Sequence, residues 1–407
     1  RYFPGGLSVT GYHVNNPGSR NVYANQLGNY TGSDNTGSAY IRMEARFTSK
    51  LFADLGLRME SSSQLVSNSQ YNFIAGFRNA QLTPLDENVN TVRFDMLPSI
   101  NIRYAILKTL RVHAAWFMTL NKPLIQQLTK YREYDAGASM ISMGNPLLHF
   151  SSINNFDAGL QWLAGHSLEV NVSGFYKHIV QPLEKVLTSY TPGTLMNVIT
   201  NTPDARSTGI TGDVRLHAGR RFSNQNTPLI TFVASGALIR SNVKAGPVQS
   251  FFTSSVREHT LSGSPSHTAN ASLIIYPARF TQFTVLYNRT GDYITAVGSG
   301  KEHTIKETGK KYLDIPDYRA KARQELDVQL SQKIFKQRLQ LSAGIIDLLA
   351  ENYIEYQDLN GNKKMDAPIV VSNSERSGGY YQSGIDNTVL NIKTYATYYF
   401  TISYLFK

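Results

Sequence analysis

The sequence contains no cysteine, which excludes both a disulfide framework and a thiolate metal site. Tryptophan occurs only twice and charged residues make up 17% of the 407 positions. No window approaches the ~18 consecutive apolar residues of a membrane-spanning helix. The densest runs are short, such as Leu273-Ile274-Ile275-Tyr276. If this chain crosses a membrane, it does so with strands closed into a barrel, because an open backbone cannot be solvated in lipid. No initiator Met precedes Arg1, and no basic-then-apolar leader with a small-residue cleavage site follows it. A targeting segment is therefore expected upstream, removed or not included.

What the chain does contain is strand and turn material: 24 Tyr, 19 Phe, 30 Gly and long Ser/Thr/Asn-rich stretches. Its formal charge of +11 would suit nucleic acid or an anionic membrane surface. The Lys and Arg residues are spread singly along the chain rather than gathered in a basic run, which argues against nucleic acid.

Period two runs through the chain. Ala39, Ile41, Met43, Ala45 and Phe47 alternate with Arg42, Glu44 and Arg46, the mark of a strand with two unlike faces. After Thr48-Ser49-Lys50 the pattern resumes, with Leu51, Ala53, Leu55, Leu57 and Met59 set against Asp54, Gly56, Arg58 and Glu60. The same hairpin recurs at 100–106 with 110–118, 156–162 with 168–176, 210–218 with 229–239, 269–276 with 280–287 and 326–334 with 339–345. A last strand carries Ala396, Tyr398, Phe400, Ile402, Tyr404 and Phe406 on one face.

Short links lie within pairs, and long polar segments lie between them, at 61–93, 120–154, 178–207, 240–268, 290–323 and 349–391. This asymmetry puts every long loop on one side of the sheet, as in barrels of the bacterial outer membrane with short periplasmic turns and long extracellular loops. A half-exposed soluble sheet shares the alternation but has little reason for one-sided loops. The expected fold is all-β: a transmembrane antiparallel β-barrel of which residues 38–407 supply about 13 strands. Residues 1–37 are read as an extracellular loop or a preceding strand region. Bacterial barrels use even strand numbers, so an odd count beginning with a descending strand implies further strands upstream. Arg42, Arg46, Arg58, Arg103, Arg111 and Arg215 stand mid-strand on the polar side and are expected to face a solvated lumen. Trp116, Trp162, Tyr104, Tyr176, Tyr287 and Tyr398 are expected in interfacial girdles.

Several short segments carry a family resemblance: Met96-Leu97-Pro98-Ser99, Asn121-Lys122-Pro123, Gly144-Asn145-Pro146-Leu147, Gly174-Phe175-Tyr176-Lys177, Tyr287-Asn288-Arg289-Thr290-Gly291-Asp292, Leu326-Asp327-Val328-Gln329-Leu330 and Asp347-Leu348-Leu349. In order and spacing they resemble the C-terminal barrel portion of TonB-dependent outer-membrane receptors of the Bacteroidetes type. Ala350-Glu351 departs from the family's usual Asn, and Lys407 follows the aromatic that often ends such chains. The resemblance implies a twenty-two-strand barrel with an N-terminal plug that is not in this sequence. It also implies import of a bulky nutrient (glycan, peptide or metal chelate) driven by the TonB complex acting on that plug. Outer-membrane lipid and lipopolysaccharide, the barrel-assembly machinery and a surface lipoprotein are the other expected partners. The alternative is a non-transporting outer-membrane barrel that acts as a scaffold or partner-docking subunit of a larger membrane complex.

Candidate sites are few. Phe400, Ile402, Tyr404 and Phe406 look like a terminal assembly signal, an edge strand whose alternate aromatics fix register; an ordinary girdle strand has the same pattern. Asp358, Asn360, Asn362 and Asp366 surround Gly361 in the manner of a small Ca²⁺ loop, without the bidentate Glu of a full site; an Asn-Gly turn reads the same. Tyr131, Tyr134, Tyr353 and Tyr356 are loop aromatics that could stack on a ligand or simply pack locally. No catalytic set is visible. Gly165-His166-Ser167-Leu168-Glu169 lacks the last Gly of a nucleophile elbow, and no His pair stands at metal spacing around a Glu. The chain is read as a non-enzyme without an assured cofactor.

Overall fold

A computed structural model describes residues 29–72, 83–129, 132–135, 140–165, 167–191, 194–219, 228–248, 255–299, 302–304, 311–313, 315–358, 363–365, 367–368 and 385–406. Thirteen strands form one antiparallel sheet: β1 (Asn29–Arg46), β2 (Leu51–Asn72), β3 (Thr83–Ala105), β4 (Leu110–Asn121), β5 (Ser151–Ala164), β6 (Leu168–Val180), β7 (Ala205–Ala218), β8 (Ile230–Val243), β9 (His267–Ala278), β10 (Thr281–Thr290), β11 (Arg323–Ile334), β12 (Leu339–Ile346) and β13 (Thr397–Tyr404). Each pairs with its successor, so the thirteen strands of the period-two pattern are the thirteen strands of the sheet. No helix among the described residues is long and apolar enough to cross a membrane.

Register turns the alternation into two continuous faces. Directly opposed residues share a face, so Ile102, Ala114, Ala158, Gly174, Ile210 and Leu238 form one row across six strands. A second row on that face sets Trp116 beside Phe156 and Phe156 beside Tyr176, with ring centroids 6.4 and 6.0 Å apart. Leu341 faces Ile402 and Ala343 faces Phe400 at the far edge. These apolar side chains are left open, Leu160 50% and Leu238 68% exposed. An apolar band this continuous belongs against lipid.

The opposite face is polar and cross-linked. Gln161 Nε2 donates to Glu169 at 2.8 Å, and Asn171 Nδ2 donates to Asp213 at 2.7 Å and to Glu169 at 3.3 Å. Arg42 and Asp54 make a forked pair, Nε to Oδ1 at 2.9 Å and Nη2 to Oδ2 at 2.6 Å.

The long segments between hairpins depart from the loop expectation. Much of 61–93 is strand: β2 runs on to Asn72 and β3 begins at Thr83, making a tall hairpin beyond the rest of the sheet. Likewise β1 starts at Asn29, inside the region read as a loop or earlier strand, because its Ser/Thr/Gly residues pair with the polar upper half of β2. Four of the other long segments build a second, nine-stranded sheet from Ala367–Pro368, Ile385–Ile392, Tyr353–Gln357, Tyr318–Ala320, Tyr293–Gly298, Leu183–Thr191, Thr194–Asn201, Met140–Met143 and Arg132–Asp135, in that order, while 240–268 forms a two-stranded ribbon of its own, Gly246–Pro247 with Ser255–Val256. The nine strands are short and several pairings join segments distant in sequence, such as Val297 beside Val186. Local periodicity carries no trace of such contacts.

The buried core lies in the cap and at the loop end of the wall, where Ile179, Ala205 and Val243 of three adjacent wall strands cluster. Val186, Val248, Val256, Ile294 and Val297 form one cluster, and Leu187, Ala296 and Tyr318 another. Val66 of the tall hairpin packs with Leu128 and Leu148, fastening cap to wall. Gly298 is required by close approach, since a Cβ there would lie 1.9 Å from the Ile315 carbonyl oxygen. Its N–H donates to Asp317 Oδ1 at 2.8 Å.

Candidate functional site

The candidate site is the vestibule where the cap meets the polar face. On the β1–β3 side, Glu60 is 7% exposed and is engaged by Lys122 and, at 3.0 Å, by Arg58 Nη2. Lys122 Nζ also reaches Ser62 Oγ at 2.7 Å and Thr36 Oγ1 at 3.2 Å. Arg93 pairs with Asp95 at 2.7 Å, and both Arg93 and Lys122 lie over the Phe150 ring. Three cations thus face two carboxylates. Beside them Arg58, Glu60, Asn101, Phe117, Thr119 and Lys122 help line a recess of about 500 Å³.

Across the vestibule, ion pairs tie loops together. Glu184 and His259 are fully buried side chains, with His259 Nε2 3.1 Å from Glu184 Oε2. Thr202 Oγ1 donates to the same oxygen at 2.5 Å, and the Ser262 N–H donates to Oε1 at 2.7 Å. Burial pushes the Glu184 carboxyl up, but the hydrogen bond and charge of His259 with the Ser262 and Thr202 donors outweigh it and hold it below the usual range. Burial pulls His259 down, yet its bond to Glu184 raises it above an ordinary imidazole. Arg257 pairs with Asp317, and Arg319, itself buried, pairs with Asp292. A second recess of about 510 Å³ opens between loops, with His149, Asn201, Asp204 and Lys244 among its walls. A third of about 190 Å³ is lined in part by Tyr293, Lys321, Arg323 and Tyr353.

The residues singled out in the sequence fall as follows. All six arginines, Arg42, Arg46, Arg58, Arg103, Arg111 and Arg215, stand on the face opposite the apolar band. Arg46 lies over the Phe52 ring, and Arg215 is registered against Glu169. Tyr353 borders the small recess and donates to Glu355 at 2.6 Å. Tyr356 is 1% exposed, so it is a packing residue of the cap and not a ligand contact. Burial lifts its hydroxyl to about 12 against the opposing pull of Arg319. Tyr134 lies in a cap strand with its backbone opposite Ile141, while Tyr131 is outside the described residues. Asp358 Oδ2 accepts the Lys363 N–H at 2.8 Å, a turn contact. Asn360, Asn362 and Asp366 lie outside the described residues, and among the described residues no group of three His, Asp or Glu could hold a metal. Phe400, Ile402 and Tyr404 face outward on β13, and the Phe406 ring meets Tyr404 edge-on at 4.7 Å.

Sequence reasoning passed over Glu184, His259, Arg257 and Asp317. Lys122 and Asp292 do fall within the short segments of the resemblance, but their partners Glu60 and Arg319 do not.

A two-faced antiparallel wall, apolar outside and polar within, capped on one side by long folded loops, defines an outer-membrane β-barrel protein. The family model described as TonB dependent receptor-like, beta-barrel, matches residues 3–348. The chain belongs to that family and is an outer-membrane protein. Solved structures with similar folds include the ferric yersiniabactin uptake receptor FyuA from Yersinia pestis, at 13% identity and TM-score 0.52 over 80% of this chain and 42% of that one. The siderophore receptor PiuA from Acinetobacter baumannii matches at 11% and 0.52 over 80% and 40%. The copper transporter OprC matches at 15% and 0.52 over 92% and 48%. This chain thus spans less than half the length of each. No curated protein matches the chain.

Proposed function

We propose that this chain forms wall and external cap of a receptor that imports a bulky nutrient across the outer membrane, energised by the TonB complex. The observation that carries it is the cap: four separate inter-hairpin segments join in one nine-stranded sheet at the loop end of a polar-lined wall. Loops that only shielded the rim would not need recesses of about 500 Å³ lined by Arg58, Glu60 and Lys122 on one side and by His149, Asn201 and Lys244 on the other. Such mixed charged and amide surfaces suit a large polar cargo, a glycan, peptide or metal chelate. The matched structures are of a ferric yersiniabactin uptake receptor, a siderophore receptor and a copper transporter, which adds support for a chelate within that range. The family assignment favours a transporter over an enzyme, and the motif order supports a receptor of the Bacteroidetes type. Coupling would run through an N-terminal plug, and a surface lipoprotein is a fitting partner for the cap.

The test is uptake by cells expressing the full-length receptor, using labelled oligosaccharide, peptide and ferric-chelate pools. Accumulation that a protonophore abolishes supports the proposal. Binding without accumulation, unchanged by the protonophore, would overturn it and leave a scaffold barrel.

A further inference from the structure

Charge is divided unevenly between the two ends of the wall. Six short links and the chain end, at 47–50, 106–109, 165–167, 219–229, 279–280, 335–338 and 405–407, lie at the rim away from the cap, the periplasmic rim of such a barrel. In sequence they hold eight of the 40 Lys and Arg residues and none of the 29 Asp and Glu. The rest of the chain is therefore close to balanced, and most of the net charge of +11 stands at this rim. Lys50, Lys108, Arg279, Lys336 and Arg338 are exposed and make no ion pair among the described residues. Arg46 and Lys333, just inside the rim, are exposed and without a carboxylate as well.

Register sets Arg46, opposite Phe52, and Lys333, opposite Gln340, on the lumenal face. The outward row ends instead in Phe47 and Phe406, 66% and 86% exposed. Where the rim meets lipid it is apolar, so headgroups beside it do not supply the missing counter-charge. The link 335–338 holds Phe335, Lys336 and Gln337 at left-handed φ of 48°, 54° and 69°. That conformation is unfavourable for residues with a Cβ, and turn geometry alone calls for Gly or Asn. Lys336 is there for its charge and not for its backbone.

From this we infer that the rim docks the barrel on the peptidoglycan of the periplasm, its cations engaging the carboxylates of the stem peptides. Links recur at every second strand, roughly 10 Å apart at ordinary strand spacing. Their cations thus form an arc that meets a repeating polyanion at several points together. One exposed ion pair contributes little, but several on one polymer give avidity without a deep pocket. The inference concerns the periplasmic end of the wall and is independent of whether the lumen conducts cargo.

The test is co-sedimentation of the detergent-solubilised full-length receptor with purified sacculi. Binding should weaken several-fold as salt is raised and be lost when the sacculus carboxylates are amidated. It should fall about ten-fold or more in Lys50→Glu with Lys108→Glu and Lys336→Glu. Lys185→Glu with Lys363→Glu and Lys393→Glu makes the same change of charge at the cap end and should leave binding unchanged. All six side chains are exposed, so both variants should unfold near the parent temperature. Failure of the parent to bind, binding indifferent to amidation, or equal binding by the two variants would overturn the proposal. So would intact sacculus binding by the rim variant together with loss of its stabilisation by phosphatidylglycerol in mixed micelles, which would assign the rim to inner-leaflet headgroups.

Discussion

His259 Nε2 lies 3.1 Å from Glu184 Oε2 across 75 residues of sequence, with both side chains fully buried. A buried ion pair is weak evidence of net stability in itself, but leaving one member alone is costly. Here it joins the segment after β6 to the segment after β8, so it decides whether two loops act as one body. Arg257 with Asp317 then extends the link to the segment after β10.

The pair gives the cap a pH optimum. His259 is raised in the folded state, so its contribution is complete below an unfolded value of about 6.5 and is lost as pH rises through the folded value. Glu184 is lowered, so its contribution is complete above about 4.5 and is lost as pH falls through its folded value. Protection of the Ser262 amide, which donates to Glu184, should therefore be greatest between these limits when measured by hydrogen exchange corrected for intrinsic rate. In Glu184→Gln the protection should fall by about 3 kcal/mol or more and its pH dependence disappear. Protection indifferent to pH in the parent would refute the coupling.

Both tryptophans of the chain, Trp116 and Trp162, stand on the outward face at different heights. Phe156, opposite Trp116, is six positions from Trp162 on β5, roughly 20 Å along the strand. Full-length receptors that keep only Trp116 or only Trp162, with every other tryptophan replaced by Phe, should in bilayers each show blue-shifted emission quenched by brominated acyl chains. Each should respond best to a label in a different leaflet. Quenching by aqueous iodide instead would place this face against water.

Polarity should be tolerated according to face. Leu160→Arg puts a charge into the lipid-facing band and should cost about 2–4 kcal/mol in reversible unfolding from membranes. Gln161→Arg, one residue along, turns its charge toward Glu169 on the polar face and should cost less than about 1 kcal/mol. Equal penalties at the two positions would mean that the faces are wrongly assigned.

The aromatics of β13 suit an edge strand that is recognised before the wall closes. Tyr404→Ala with Phe406→Ala should slow barrel assembly in cells several-fold, read as the lag before heat-resistant folded receptor appears on a gel. Because Phe406 is 86% and Tyr404 46% exposed, the fold once formed should unfold near the parent temperature. An unchanged lag would remove the assembly role.

Alternation from Ala39 to Phe406 was enough to read thirteen strands, their partners and the two faces, because each wall strand pairs with its neighbour in sequence and every one meets lipid on one side and water on the other. The arginines, from Arg42 to Arg215, were legible for the same reason. Nothing in that periodicity bears on the cap. Tyr356 reads as a loop aromatic and is a buried core residue, and Glu184, which falls unmarked in the long polar segment 178–207, is sealed against His259. The small residues Ala114, Ala158 and Gly174 look unrelated until register sets them side by side. The sequence alone thus determined the wall, whose order is local and repeated at every hairpin. The tertiary structure alone decided the cap and the vestibule, since each is made by residues tens to more than a hundred positions apart, brought together only after loop closure that no local pattern records.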